Sequence, residues 1–200
     1  MKGWRTFRIV AWGLVAAVLV MLMIASYLTM RAEHMNQSGI PAVGKPFRLT
    51  SHQGQVVDNA SLAGKPYLAF FGFTHCPDIC PTTLFELSGM MSELGDQANE
   101  FNVIFITVDP ERDTPQLLQE YMTSFDPRIL ALRGSESDTQ AAVKAFAAYA
   151  RKVPTDGNTY TMDHTAGVYL MDAFGVFRSM LDMHEPQEVR LQKIRNVLDE

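Results

Sequence analysis

The sequence predicts an α/β domain behind a single N-terminal membrane-spanning helix. Three observations carry that prediction. Residues 9–28 contain no charge, and a stretch of about 20 apolar residues is what a helix needs to cross the hydrocarbon core. An uninterrupted apolar run, 67–73, and a second, largely apolar one, 101–108, flank a segment whose apolar residues recur at helical spacing, the pattern of buried strands alternating with helices. The only two cysteines, Cys76 and Cys80, fall where the first of those runs gives way to the helix.

The N-terminal run is preceded by Lys2, Arg5 and Arg8, and no acid occurs before Glu33. The bias of basic residues toward the cytoplasmic side puts residues 1–8 in the cytoplasm, residues 9–28 in the membrane and everything later on the far face. A cleaved signal peptide is the competing reading. It is disfavoured because the run exceeds a typical signal core and Ser26, Tyr27, Leu28, Thr29 and Met30 offer no small-residue cleavage site. The start is too apolar for a transit peptide, so the expected location is the bacterial inner membrane, with one pass and a periplasmic domain. Residues 29–42 are polar and broken by Pro41, and read as a linker.

Residues 43–200 have the size of one domain and can bury a full core without disulfides. Of the 17 Lys and Arg, three precede the anchor, which leaves 14 against all 22 Asp and Glu in the outer part. That acidic balance argues against a nucleic-acid partner or a polybasic membrane patch.

Along this domain, 47–50 and 55–57 flank His52-Gln53-Gly54 and predict a hairpin. Residues 67–73 follow Gly64-Lys65-Pro66 as a central strand. The next helix is placed by its proline: Pro81 suits the first helical position, where its missing N–H has no partner to lose. Residues 76–79 are then loop, Cys80 lies at or beside the N-cap, and Leu84, Leu87, Met91 and Leu94 form one apolar face ending near Gly95. Residues 101–108 form a second buried strand. Thr114-Pro115 is a cap followed by an N1 proline, opening a helix to about Phe125. Residues 129–132 are a short strand. Ser135 opens a helix with Val143, Phe146, Ala147 and Ala150 on one face. Residues 151–163 read as a long polar loop with Pro154 and Gly157. Residues 165–171 are a strand, turned by Asp172-Ala173-Phe174-Gly175 into 176–181 as a hairpin. Pro186 starts a closing helix with Val189, Leu191, Ile194 and Leu198 inward.

This order gives a layered α/β sheet with the cysteine pair at the first strand-to-helix junction, a thioredoxin-like fold. Ligand sites in such sheets gather at the carboxyl ends of the strands, so Cys76 and the loop at Asp109 share one rim.

The cysteine spacing has three intervening residues, where the thioredoxin-like redox motif has two. Closing so short a loop as a structural disulfide adds little to a domain of this size. Chemistry at the pair is the better reading, either thiol–disulfide exchange or binding of a soft metal such as copper(I), zinc or an iron–sulfur centre. Cys80 near a helix N-terminus is expected to be an acidified thiol. A metal needs further ligands. Among His34, His52, His75, His164 and His184, His164 is the best placed, between the polar loop and a strand. His75 adjoins Cys76, but neighbours in an extended chain point to opposite faces. Asp78, Asp109 and Asp163 are candidates to orient His164 or supply an oxygen, whereas Asp113 reads as a loop and cap residue. The 12 methionines read as anchor and core filling; only Met162 and Met183 merit a metal test.

Three motifs, Phe73-Thr74-His75-Cys76-Pro77-Asp78-Ile79-Cys80-Pro81, Val108-Asp109-Pro110-Glu111-Arg112-Asp113-Thr114-Pro115 and Asp163-His164-Thr165, followed by Tyr169-Leu170-Met171-Asp172, occur in the order seen in the Sco/SenC family. The chain resembles that family from about residue 43 to residue 200, and in its membrane anchor. Thr165 stands where many members have Ser. The resemblance implies Cu(I)/Cu(II) as the bound metal, with Cys76, Cys80 and His164 as ligands. It further implies a copper chaperone for cytochrome c oxidase assembly that delivers copper, or reducing equivalents, to the dinuclear centre of oxidase subunit II, itself loaded by a copper donor protein. Two sulfurs and an imidazole suit three-coordinate Cu(I), while a structural zinc would want four protein ligands. The alternative is a thiol–disulfide oxidoreductase that keeps partner cysteines reduced, with Cys76 as the catalytic nucleophile and Cys80 resolving. A peroxidase or redox sensor on the same fold is a third reading. On the metal reading, the 151–163 loop is expected to let His164 swing away.

Overall fold

The computed structural model describes residues 43–157 and 159–199, with 12, 19–23 and 26 of the N-terminal stretch. The chain divides into two units, Met1–Pro41 and Ala42–Glu200. In the first, the described residues are helical and exposed. The expected 9–28 membrane helix falls mostly outside the described residues, as do the 29–42 linker and His34. Among the described residues no helix is long and apolar enough to cross a membrane.

The second unit is built on a seven-stranded sheet. Its strands are β1 (Arg48–Ser51), β2 (Val56–Asp58), β3 (Tyr67–Gly72), β4 (Asn102–Thr107), β5 (Ile129–Arg133), β8 (Val168–Met171) and β9 (Phe177–Leu181), in the order β2-β1-β5-β4-β3-β8-β9. The centre is parallel: Tyr67 pairs Asn102 through Gly72 with Thr107, and Val103 pairs Ile129 through Ile106 with Leu132. All six residues of β3 are buried, as expected for a strand covered on both faces. Strands β8 and β9 extend the sheet antiparallel, and the β1–β2 hairpin closes the other edge.

Five helices connect or flank these strands: α1 (Asn59–Leu62), α2 (Ile79–Leu94), α3 (Pro115–Met122), α4 (Glu136–Ala145) and α5 (Gln187–Leu198). Helix α2 buries Leu84, Leu87, Met91 and Leu94 as the periodicity predicts, with Cys80, Thr83 and Met90 beside them. Thr114 caps α3, its hydroxyl accepting from the Leu117 amide at 3.2 Å, with Pro115 at N1. Phe146 is the hub of the aromatic core, with ring centroids 5.4–5.5 Å from Phe47, Phe71 and Tyr169.

Several expectations change, among them Val189 of α5, expected inward and found exposed, with Arg190 and Val197 buried in its helix instead. Helix α2 begins at Ile79, with Asp78 at the N-cap, so Cys80 is the second helical residue and Pro81 the third. A proline there still loses nothing, because the first four amides of a helix have no intrahelical partner. Helix α4 stops at Ala145, and Ala147 turns into the left-handed region at φ 49°, so Ala150 cannot continue the helical face. Finally, 151–163 is not a loop. Strands β6 (Ala150–Thr155) and β7 (Thr159–His164) form a separate two-stranded antiparallel sheet, pairing Ala150 with His164 through Thr155 with Thr159. Pro154 is accommodated at the open edge of that ribbon, where a missing N–H need not break a ladder.

Candidate metal centre

Strand β3 ends at Gly72, and the chain leaves it through Phe73 to Asp78 into α2. Cys80 is fully buried and Cys76 half-buried, and both are free thiols. Strand β7 ends at His164. The sulfurs of Cys76 and Cys80 and a ring nitrogen of His164 all lie within 4.8 Å of one another, the only such group of His, Cys, Asp and Glu among the described residues.

The imidazole has one defined orientation. Its Nδ1 lies 3.0 Å from the Thr165 carbonyl, which can only accept. The proton therefore sits on Nδ1, and Nε2 presents its lone pair to Cys80 Sγ at 3.5 Å. The ring is seated edge-on between Phe70 and Phe73, at centroid distances of 6.3 and 5.8 Å. Burial holds its pKa below the ordinary value, against the opposing pull of the Thr165 carbonyl and Asp163.

The expectation of an acidified Cys80 is overturned. Burial pushes its thiol well above the ordinary range, and the Phe73 amide only partly opposes this. The helix N-terminus does not serve this sulfur, because the Cys80 N–H donates instead to Cys76 Sγ at 3.4 Å. The Cys76 amide in turn donates to the Phe73 carbonyl at 3.2 Å, closing the turn. Cys80 therefore carries a proton in the metal-free protein, and its S–H donates to His164 Nε2.

The other candidates are not in this group. His75 is exposed, with Nδ1 3.0 Å from the Thr74 hydroxyl. His52 Nδ1 accepts from the Ala131 amide at 3.1 Å, and His184 pairs with Asp182 at 2.8 Å. Asp78 is exposed, and Thr82 donates to it. Asp163 faces away from His164 and pairs with Arg151 at 3.6 Å. Met162 is buried. Met183 Sδ accepts from Arg190 Nη1 at 2.9 Å.

Asp113 is more than a cap residue. It is fully buried and accepts from the Thr74 amide and the Thr74 and Thr107 hydroxyls. It thus ties the start of the cysteine loop to the end of β4. Asp109, also fully buried, pairs with Arg112 Nε and accepts from Tyr160 Oη at 2.9 Å. Arg112 Nη1 donates to the Tyr160 carbonyl at 2.9 Å, and its Cζ lies 3.8 Å from the Tyr160 ring centroid. Sequence reading missed Tyr160. The signal was there: Tyr160, Met162 and His164 alternate along one strand face, but only if 159–164 is read as a strand. Tyr121 was also missed. Its hydroxyl is buried without a partner, and burial, followed by the nearby Cys80 and Cys76, keeps the phenol protonated.

The donor set is two thiols and one imidazole lone pair, a soft combination. With no fourth His or Cys in reach among the described residues, it does not match a four-ligand structural zinc site.

Known proteins share this arrangement of fold. Residues 35–199 match the family model described as SCO1/SenC. The chain is 37% identical over 161 residues to Protein SCO2, mitochondrial, of Saccharomyces cerevisiae, covering 78% of this chain and 53% of that protein. It therefore spans about half the length of that relative. SCO2-like protein RP587 of Rickettsia prowazekii is 36% identical over 135 residues, 66% of each chain. The structure of Bradyrhizobium japonicum ScoI with copper bound superposes with a TM-score of 0.73 at 46% identity, covering 78% of this chain and 99% of that one. Yeast Sco1 with copper bound gives a TM-score of 0.73 at 34% identity, covering 80% and 90%. The chain belongs to the SCO1/SenC family.

Proposed function

We propose that this chain binds copper through Cys76 Sγ, Cys80 Sγ and His164 Nε2 and passes it on during assembly of cytochrome c oxidase, to the dinuclear copper centre of subunit II. One observation carries the reading: the Nδ1–H of His164 is tied back to Thr165 while Nε2 faces the two sulfurs. Copper-bound relatives of the same fold support it. Copper here is cargo. The protein supplies soft donors held on a rim, one of them half-buried and open to a partner. Loading requires Cys80 to give up its proton; His164 is already neutral and gives up none from Nε2.

The test is titration of the reduced full chain with copper. Sulfur-to-copper charge-transfer absorbance should appear with the wild type and vanish in Cys76→Ser, Cys80→Ser and His164→Ala. Retention of full affinity in His164→Ala sinks the three-ligand reading.

A second reading, thiol–disulfide exchange, is favoured by the unequal exposure of the two thiols. Cys76 thiolate would attack a partner disulfide, forming a mixed disulfide and releasing one partner thiolate. Cys80, once deprotonated, would then displace the second, leaving a Cys76–Cys80 disulfide and a dithiol partner. His164→Ala separates the readings: copper binding is lost, whereas Cys76 still forms the mixed disulfide, a step that uses no imidazole.

Residues 9–28 act in this proposal as an inner-membrane anchor, with 29–42 as tether and 43–200 in the periplasm. The charge-free run and the basic residues before it support this. A topology reporter fused after residue 200 should be active only if it reads out on the periplasmic side.

A further inference from the structure

We propose that the 109–113 loop, which contributes nothing to the Cys76–Cys80–His164 group, sets the distance between its two halves: Arg112, braced on Asp109, grips Tyr160 and so positions His164. The affinity readout below rests on the copper reading; the exchange readout does not.

The need for such a device follows from topology. The cysteine loop leaves β3, inside the seven-stranded sheet. His164 ends β7, which belongs to a two-stranded sheet of its own. No sheet hydrogen bonds join the two, so the backbone ladder does not fix where the hairpin stands. Two attachments do. At the base, the Thr165 amide donates to the Tyr149 carbonyl at 3.0 Å, and the Tyr149 amide to the Thr165 hydroxyl at 2.9 Å. These close the hairpin on itself. Contacts outside it run to the 109–113 loop, from Lys152 to Glu111 and from Tyr160 to Asp109 and Arg112.

Tyr160 is gripped on three sides. Its hydroxyl donates to Asp109, its carbonyl accepts from Arg112, and the Arg112 guanidinium lies on its ring. Arg112 Cζ is also 5.8 Å from the Phe73 ring, whose edge contact with His164 was described above. Tyr160 and His164 share a strand face four residues apart, about 13 Å along the strand at about 3.3 Å per residue. Because both side chains stand on one strand face, a twist of β7 about its own axis would turn Tyr160 and the imidazole together.

The same loop anchors the other half. Asp109 N–H donates to the Thr107 hydroxyl at 3.0 Å, that hydroxyl donates to Asp113, and Asp113 holds Thr74 at the head of the cysteine loop. A continuous polar path thus runs from hairpin to cysteine loop through two fully buried carboxylates. General stabilisation does not account for it well. Arg112 Nη2 is buried with no partner, and an orphaned donor costs about 1–3 kcal/mol. A fixed guanidinium fork is what geometry needs, and Lys cannot reproduce it.

The test is a double-mutant cycle on the full chain, with Cu(I) affinity measured against a competing chelator. Arg112→Lys should weaken binding by about 10–100-fold, the range for groups that orient a metal ligand. In a His164→Ala background, the same change should alter the residual affinity by less than about twofold, because the residue it acts through is gone. Tyr160→Phe, which keeps the ring but loses the hydroxyl, should fall between wild type and Arg112→Lys. Equal losses with and without His164 overturn the proposal. Independently of copper, amide hydrogen exchange in β6 and β7 should speed up in Arg112→Lys while that of β3 and β4 is unchanged. Unaltered exchange in the hairpin also overturns it. If the wild type fails to bind Cu(I), the copper reading falls, and the exchange result alone decides the positioning role.

Discussion

Cys80 Sγ and His164 Nε2 lie 3.5 Å apart across 84 residues of sequence, and burial acts on them in opposite directions. It raises the thiol and lowers the imidazole, so both are neutral and share one proton in an S–H···N contact. A soft cation entering between them must displace that proton. Copper affinity should therefore rise with pH across the neutral range, by about tenfold per unit for the Cys80 proton alone. Titrations at several pH values, with proton release followed by a weakly buffered indicator, check this. A flat affinity profile without proton release overturns it.

The imidazole predicts an acid limit for the copper-free fold. Its folded pKa lies below the unfolded value of 6.5, so between the two the unfolded chain binds more protons. Stability then rises with pH across that window: the contribution is complete above 6.5 and is lost as pH falls toward the folded pKa. Urea unfolding of the reduced, copper-free protein at stepwise lower pH should show this slope. His164→Asn, which cannot titrate, should remove that part of it, and an unchanged slope refutes the assignment.

Thr74 supplies two of the donors that hold the Asp113 carboxylate, its hydroxyl at 2.6 Å and its amide at 3.1 Å. Thr74→Val keeps the shape and the amide but removes the hydroxyl from a fully buried carboxylate. The expected cost is about 1–3 kcal/mol in urea unfolding. Thr74→Ser restores the donor and should recover most of it. If Thr74→Val is neutral, the tie between β4 and the cysteine loop contributes nothing to stability.

Most of the sheet is legible because its central strands are almost wholly apolar. The 67–73 and 101–108 runs leave little choice but β3 and β4, and the two cysteines then fall at their rim. The β6–β7 hairpin was illegible for a physical reason. Of its residues, Arg151, Lys152, Pro154, Thr155, Thr159 and Asp163 are exposed, so little hydrophobic alternation marks it. It is held by cross-strand pairing and by Arg112 on Tyr160, contacts between residues 48 apart that a local pattern cannot carry. Cys80 fails in the same way. The proline correctly signals a helix start, but the state of the thiol depends on how deeply it is buried, and burial is a property of the packed domain.

Gly72, the last residue of β3, shows how closely packing and chemistry are joined. A Cβ there would stand 2.6 Å from Phe105 Cε2 and 2.8 Å from Cys80 Sγ. Both neighbours are fully buried. Moving Phe105 disturbs the core, since its ring packs tilted against Phe70 at 5.8 Å between centroids, and Phe70 also seats the His164 ring. Gly72→Ala should therefore cost about 1–3 kcal/mol by overpacking. The sulfur is the less confined of the two neighbours, being at the helix start, so part of the strain should appear as its displacement. Copper affinity in Gly72→Ala should then fall by more than in a control of equal instability far from the site, such as Val197→Ala in α5, where Val197 is buried. Equal affinity in the two variants at matched stability shows that Gly72 serves packing alone.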